Sequence, residues 1–278
     1  MAVISLTTDF GTRDEYVGVL KAVICGINPQ ALVIDITHHI APHDVAGAAF
    51  MLKSTFTWFP IASIHVAVID PGVGGTRAIV AARVAGHYLI APDNGLLAPL
   101  IDEYGVDELI AVQTRAFFKQ PLSRTFHGRD IFAPVAAHLS LGVAMRDFGP
   151  PIDRMQLTDL AWPRPHVDAD GTLHGHVVGV DRFGNLITDI GYDHLKAAAH
   201  SGGGRGLRIH AGGRTIEGLI SSYGQGPEGV PAAILGSRDC LEIAVNQGSA
   251  EKLLSIGKGA PVEVCPAARG TNSTGENA

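Results

Sequence analysis

The chain has 278 residues, 46% of them hydrophobic, and 21 Lys and Arg against 27 Asp and Glu give a formal net charge of −6. This apolar share supports a packed core and excludes disorder as the dominant state. The acidic balance, with no basic stripe, excludes nucleic acid as the main partner, because phosphate recognition rests on clustered Lys and Arg.

In chain order, "AVISLTT" (2–8) predicts a buried strand, "EYVGVLKAVICGI" (15–27) a helix and "ALVIDIT" (31–37) a second strand. "DVAGAAFMLKSTF" (44–56) predicts a helix with Asp44 as its N-cap. "SIHVAVID" (63–70), "RAIVAARV" (77–84) and "HYLIAP" (87–92) follow as strands, and "GLLAPLIDEYG" (95–105) as a helix closed by a glycine. "ELIAVQ" (108–113) is a strand and "RDIFAPVAAHLSLG" (129–142) a helix. Strands alternating with helices predict an N-terminal α/β layered domain over residues 1–160, with a largely parallel sheet. Residues 147–170, rich in Pro, Asp and Arg, read as a linker. Short β-type runs then follow over residues 170–266: "LHGHVVGVD", "GNLITDI", "GLRIHAG", "RTIEGLI", "AAILGS" and "LEIAVN". Their Gly-rich spacing fits a small barrel or sandwich. The last dozen residues, 267–278, are expected to form a flexible tail.

No apolar run approaches the roughly 20 residues of a membrane span. The N-terminal "MAVISLTTDFG" has no basic region or cleavage site, so a first strand is expected there rather than a signal peptide. Cys25, Cys240 and Cys265 form no CxxC pair and no disulfide framework, which fits a reducing, cytoplasmic setting.

Ligands of open α/β sheets bind beyond the carboxyl ends of the strands. Three carboxylates fall there, each closely followed by glycine: Asp9 in "TTDFG", Asp70 in "VIDPG" and Asp93 in "APDNG". One such Asp is ordinarily a cap or turn former, but three predict a shared polar site. Asp70 and Arg77, at the two ends of "DPGVGGTR", read alone as a surface ion pair of little energy. The glycines between them argue for a loop that folds back, with Arg77 holding Asp70 ionised. His127 in "TFHGRD" stands at a predicted helix start, where a neutral imidazole is favoured. His38, His39 and His43 in "DITHHIAPHD" tempt a metal reading, but no ligand spacing such as HExxH supports one. In the second half, "DRFGN" offers Phe183 to stack on a flat ring and Asn185 to bond base edges, although Gly-Asn is also an ordinary hairpin turn. "GSRDCLEIAVN" adds Ser237, Arg238 and Glu242.

Together and in this order, "TTDFG", "DITHHIAPHDV", "VIDPGVGGTR", "APDNG", "TFHGRD", "DRFGNLITDI" and "GSRDCLEIAVN" resemble the DUF62 family of S-adenosyl-L-methionine (SAM) hydroxide adenosyltransferases, relatives of the SAM-dependent fluorinase and chlorinase. Each motif alone is weak, but seven in register span nearly the whole chain. The resemblance implies a C-terminal β-barrel after the α/β domain, and a homotrimer binding SAM between neighbouring subunits. It implies attack of water on C5′ of SAM, giving adenosine and methionine, with no cofactor and no metal. Its catalytic set maps onto Asp70, Arg77 and His127, and its ribose-binding residue onto Asp9. Asn185 and Phe183 fall at the adenine, Ser237 at the methionine part, and Glu242 and the backbone near Val245 at further ligand contacts. The halogenase branch has an aromatic residue where Asp70 stands and a halide-contacting serine where Gly128 stands. A carboxylate repels a halide, so the resemblance points to the water-using branch, some of whose members prefer the R sulfonium epimer. A non-catalytic SAM or adenosine sensor is the alternative from another class, and a SAM-dependent halogenase the second. Water at C5′ needs a base or a site that stabilises hydroxide: Asp70 is expected to accept a hydrogen bond or the proton from that water, Arg77 to orient Asp70 and stabilise hydroxide character, and His127 to complete the hydrogen bonding of the water or relay its proton.

Overall fold

The structure, a computed structural model, describes residues 1–201 and 206–266. The tail expected at 267–278 lies outside the described residues. The chain divides into two compact units, Met1–Trp162 and a second starting at Pro163.

The first unit holds one six-stranded sheet. Its strands are β1 (Val3–Thr8), β2 (Leu32–Thr37), β3 (Ile64–Val68), β4 (Ile79–Val84), β5 (His87–Pro92) and β6 (Glu108–Ala111), in the order β2-β1-β3-β5-β4-β6. β2, β1, β3 and β5 pair in parallel, while β4 runs antiparallel to both β5 and β6. The sheet is thus parallel except for one reversed strand. β3 is buried along its whole length, as expected of a parallel strand covered on both faces.

Helices cover both faces. On one, α1 (Tyr16–Ile27) and α4 (Ala133–Ser140) bring Leu20, Ile24, Val135 and Leu139 onto Ile4, Leu6, Ile64 and Val66. On the other, α2 (Val45–Thr55) and α3 (Ala98–Tyr104) bring Leu52, Leu100 and Ile101 onto Ala67, Ile69, Val80 and Leu89. The Asp44 carboxylate accepts the Gly47 N–H at 2.8 Å, which caps α2 as its sequence predicts. The helix expected over 129–142 is in fact a π-helical turn, Gly128–Phe132, running into α4.

The second unit is built from β7 (His166–Val167), β8 (Leu173–Val180), β9 (Leu186–Gly191), β10 (Leu207–Ala211), β11 (Arg214–Glu217), β12 (Pro231–Leu235), β13 (Cys240–Val245) and β14 (Pro261–Pro266), with α5 (Tyr192–Ser201) and α6 (Ala250–Leu254). The sheet order is β11-β10-β14-β8-β9-β13-β12, with β7 on β8, and every pairing is antiparallel. Beyond β11, Ile220 bridges Ile234 of β12, so the two ends of the sheet meet and the barrel nearly closes. No helix of the described residues is long and apolar enough to cross a membrane.

Candidate active site

Asp70 follows β3 at the carboxyl edge of the sheet, and Arg77 stands just before β4. Because β4 runs backwards, its first residue Ile79 pairs with Pro92 at the end of β5. The start of β4 therefore lies at the edge where β3 ends, and a short loop suffices to bring the guanidinium back to the carboxylate. Arg77 Nε donates to both Asp70 oxygens at 2.9 and 3.1 Å, and Nη2 closes on Oδ2. Within this chain the two side chains are only 5% and 12% exposed, so the pair is far better shielded than the surface ion pair that a bare reading of the sequence allows.

The glycines of "PGVGG" clear the space. A Cβ on Gly72 would press on Arg77 Cγ at 3.0 Å, and Gly74, at φ +74°, lies directly under the Arg124 carbonyl with no room for a side chain. That approach docks the segment leading to His127. Arg77 Nη2 donates to His127 Nδ1 at 2.8 Å, so one guanidinium joins the carboxylate and the imidazole. A ring that accepts on Nδ1 carries its proton on Nε2 and is neutral. Burial pushes the His127 pKa below its ordinary value and Arg77 pushes the same way, while Asp70, Asp130 and the Ser123 backbone oppose them.

Asp9 follows β1, whose Thr8 is in register with Val68 of β3, so Asp9 and Asp70 leave the sheet at the same edge. Asp9 accepts the His43 N–H at 2.9 Å, and the His38 carbonyl accepts the Gly11 N–H at 2.7 Å. The loop after β2 thus wraps the Asp9 turn. The histidines of that loop do not converge. His38 is buried between Thr8 Oγ1 at 2.8 Å and Asp35 at 3.0 Å, and His39 reaches Thr12 at 3.4 Å. Among the described residues no group of three or more His, Cys, Asp and Glu is placed to hold a metal ion. The Asp93 carboxylate accepts the Thr158 N–H at 2.8 Å, which fastens the segment after α4. Its neighbour Asn94 supports the site, donating to the Ile69 carbonyl at 2.9 Å, one residue before Asp70.

In the second unit, Asp181 organises its turn by accepting the backbone N–H of Phe183 and of Asn185, at 2.8 and 2.9 Å, and the Asn185 amide at 2.9 Å. Asn185 is buried with one donor committed to Asp181, and Phe183 is 76% exposed. An exposed ring of that size on a rigid turn suits stacking against a ligand. Ser237 is exposed and Val245 buried. Glu242 is 4% exposed; Tyr223 Oη donates to it at 2.7 Å, and its carboxylate lies over bare Gly236. Burial pushes the Tyr223 hydroxyl up to about 12, reinforced by Glu242 and Asp181 and opposed by Arg238. The turns at 181–185 and 236–239 and the Glu242 carboxylate therefore share one neighbourhood within this unit.

The sequence reading does not single out Tyr223, Asp130 or the ring cluster of Phe10, Tyr16 and Phe126, whose centroids lie 5.1 to 6.2 Å apart. The cluster ties "TTDFG" to "TFHGRD". Asp130 carries a visible signal, an acid at the head of an otherwise apolar helical run; Tyr223 sits in a loop with no pattern to mark it.

The SAM hydroxide adenosyltransferase N-terminal-domain model matches residues 4–149, and the C-terminal-domain model of the same family matches residues 175–263. A Thermus thermophilus protein named (R)-S-adenosyl-L-methionine hydrolase is 37% identical over 273 residues, covering 92% of this chain and 97% of its own. One of the same name from Salinispora arenicola is 35% identical over 268 residues, covering 94% and 97%. A crystal structure of an uncharacterized conserved protein from Thermotoga maritima superposes with a TM-score of 0.86 at 37% identity, over 94% of this chain and 99% of that one. A fluorinase of Actinopolyspora mzabensis is more distant, 27% identical over 289 residues, covering 94% and 96%.

Proposed function

The chain belongs to the SAM hydroxide adenosyltransferase family, and from that premise we propose how it works. It is a SAM hydrolase: water attacks C5′ of S-adenosyl-L-methionine, a C5′–O bond forms, and the C5′–S bond breaks with its electron pair going to sulfur. The products are adenosine and L-methionine. The relatives bear the name of the R sulfonium epimer, and that configuration is the preferred substrate in this reading.

The reading of the site rests on one observation: Arg77 contacts both the Asp70 carboxylate and His127 Nδ1 at the carboxyl edge of the sheet. Asp70 accepts the proton of the attacking water, Arg77 holds that carboxylate in orientation, and the neutral His127 donates from Nε2 to the oxygen of the water. Hydroxide character and sulfonium charge cancel as reaction proceeds, so shielded surroundings favour the path and no metal is required. Asp9 takes the ribose hydroxyls, Asn185 and Phe183 the adenine, Ser237 the methionine part, and Glu242 and the Val245 backbone the remaining contacts. These substrate roles and a homotrimer with the site between subunits are supported by the family resemblance, and a cytoplasmic location by the three widely spaced cysteines with no CxxC pair. A halogenase is disfavoured because the Asp70 carboxylate would repel a bare halide.

The test is to supply each sulfonium epimer of SAM separately and follow free adenosine by chromatography, with and without chloride. Adenosine released faster from the R epimer, independently of chloride, supports the proposal. Tight SAM binding with no adenosine returns the sensor, and a chlorinated nucleoside returns the halogenase.

A further inference from the structure

The His127 imidazole rides on a stretch with little regular structure, yet it must meet Arg77 to within a hydrogen bond. One buried residue grips that stretch at several points. Asp130 is 0% exposed, and a carboxylate so buried needs partners. It has three donors: Arg129 Nε at 2.7 Å, Arg129 Nη2 at 3.0 Å and the Ser123 N–H at 2.7 Å. Its backbone is engaged as well, with its carbonyl accepting the Lys119 N–H at 2.8 Å and its N–H donating to the Phe126 carbonyl at 3.2 Å. The segment from Lys119 to Phe126 is thereby gathered onto one residue at three points. His127 is the next residue after that segment, and Gly74 packs on Arg124 within it.

We propose that Asp130 is a positioning residue for His127, clasping the loop that delivers the imidazole to Arg77 and placing a fixed negative charge beside it. This rests on the reading of His127 as part of the hydrolytic site. The groups facing His127 are Arg77 and Asp70 from the loop after β3, Asp130 from the π-helical turn, and the Ser123 backbone. Arg77 works against protonation of the ring; Asp70, Asp130 and Ser123 work for it. A clasp that only stabilised the fold would set the melting temperature and nothing else. A clasp that positions the ring also sets where the ring titrates and how fast the site turns over.

The experiment pairs Asp130→Asn with Asp130→Glu in the full chain and reads two quantities. One is the His127 titration by NMR without substrate, its ring signal assigned as the one missing in His127→Asn. The other is kcat and KM for adenosine release. Asn keeps an acceptor for Ser123 but removes the charge, so His127 is expected to titrate at lower pH. Its kcat is expected to fall roughly 10- to 100-fold, the scale of an ångström-level misplacement, with KM within about threefold. Glu keeps the charge on a longer stem, so the titration stays near that of the parent while kcat still falls. The proposal is overturned if Asn lowers only the melting temperature, if Glu shifts the ring as far as Asn does, or if neither variant folds. If the parent chain releases no adenosine from either epimer, the hydrolase reading fails, and the titration still reports separately on Asp130 and His127.

Discussion

Nη2 of Arg77 lies 2.8 Å from Nδ1 of His127. A guanidinium donates and never accepts, so this contact assigns the tautomer: the lone pair is on Nδ1 and the proton on Nε2. The same nitrogen reaches Asp70, so one cation orders an anion and a neutral ring.

That relationship has a pH signature. Burial, followed by Arg77, holds His127 below its ordinary value of 6.5. Activity that needs the neutral ring persists below that value and is lost as pH falls through the lowered one. Arg77→Gln removes the cationic neighbour, so the ring gains its proton at higher pH. The acid limb of kcat/KM is expected to move up in pH, along with a lower plateau. A limb that stays put or moves down argues against the assignment.

Asp70→Asn keeps the shape and removes the base. Turnover is expected to fall about 10²- to 10⁴-fold, the usual range for general-base catalysis, with SAM binding retained. Calorimetric binding beside an adenosine assay separates the two, and wild-type turnover in this variant would rule out Asp70 as the base.

Gly74→Ala should harm both stability and catalysis. Its φ of +74° and the Arg124 carbonyl leave no place for a methyl group, so the loop before His127 must move. A cost of about 1–3 kcal/mol and a clear loss of kcat are expected. Gly18→Ala, within α1 and with open space around its Cβ, is the control and should gain roughly 0.5–1 kcal/mol. Denaturant unfolding of both variants provides the comparison.

Gly128→Ser tests the boundary with the halogenases. A Cβ there would meet Leu20 Cδ1 and Phe126 Cε2 at 3.3 Å and Phe10 Cε2 at 3.5 Å, a tight fit against side chains that can yield. The variant should fold, at a cost of about 1 kcal/mol. It should still release adenosine at a rate that chloride leaves unchanged, because Asp70 remains. A chlorinated product would show that the serine alone redirects the chemistry.

Away from the site, His65 joins Ser5 at 2.7 Å and His87 at 3.2 Å inside the first unit, all three buried. Burial, then the neighbouring His87, lowers His65 from 6.5 to about 3. The unfolded chain therefore binds an extra proton between those values. This contribution to stability is present above pH 6.5 and is lost as pH falls toward the folded value, at about 1.4 kcal/mol per pH unit for one proton. His65→Asn should flatten the dependence of unfolding free energy on pH between about 6.5 and 4.5 by close to one proton. An unchanged slope would place the acid sensitivity elsewhere.

Much of this was legible in the residues because it is local. The uninterrupted apolar run of β3, the Asp44 cap and the seven-residue interval from Asp70 to Arg77 all express short-range physics. The direction of β4 was not legible, since an apolar strand reads the same run forwards or backwards. Nor was the tie from Asp93 to Thr158, across 65 residues, which gives that strand-end carboxylate a structural partner. A reading by β-type runs also passes over α5, whose "YDHLKAAAHS" lies between strands and is held there by the barrel.

The reversed strand also implies an order of assembly. Carboxylate and guanidinium are seven residues apart, whereas the imidazole enters from fifty residues beyond the guanidinium. By loop-closure entropy the second contact is harder to form by roughly 2 kcal/mol. The ionic half can therefore come together first, with the ring, clamped by its own buried aspartate, closing onto a pair already made.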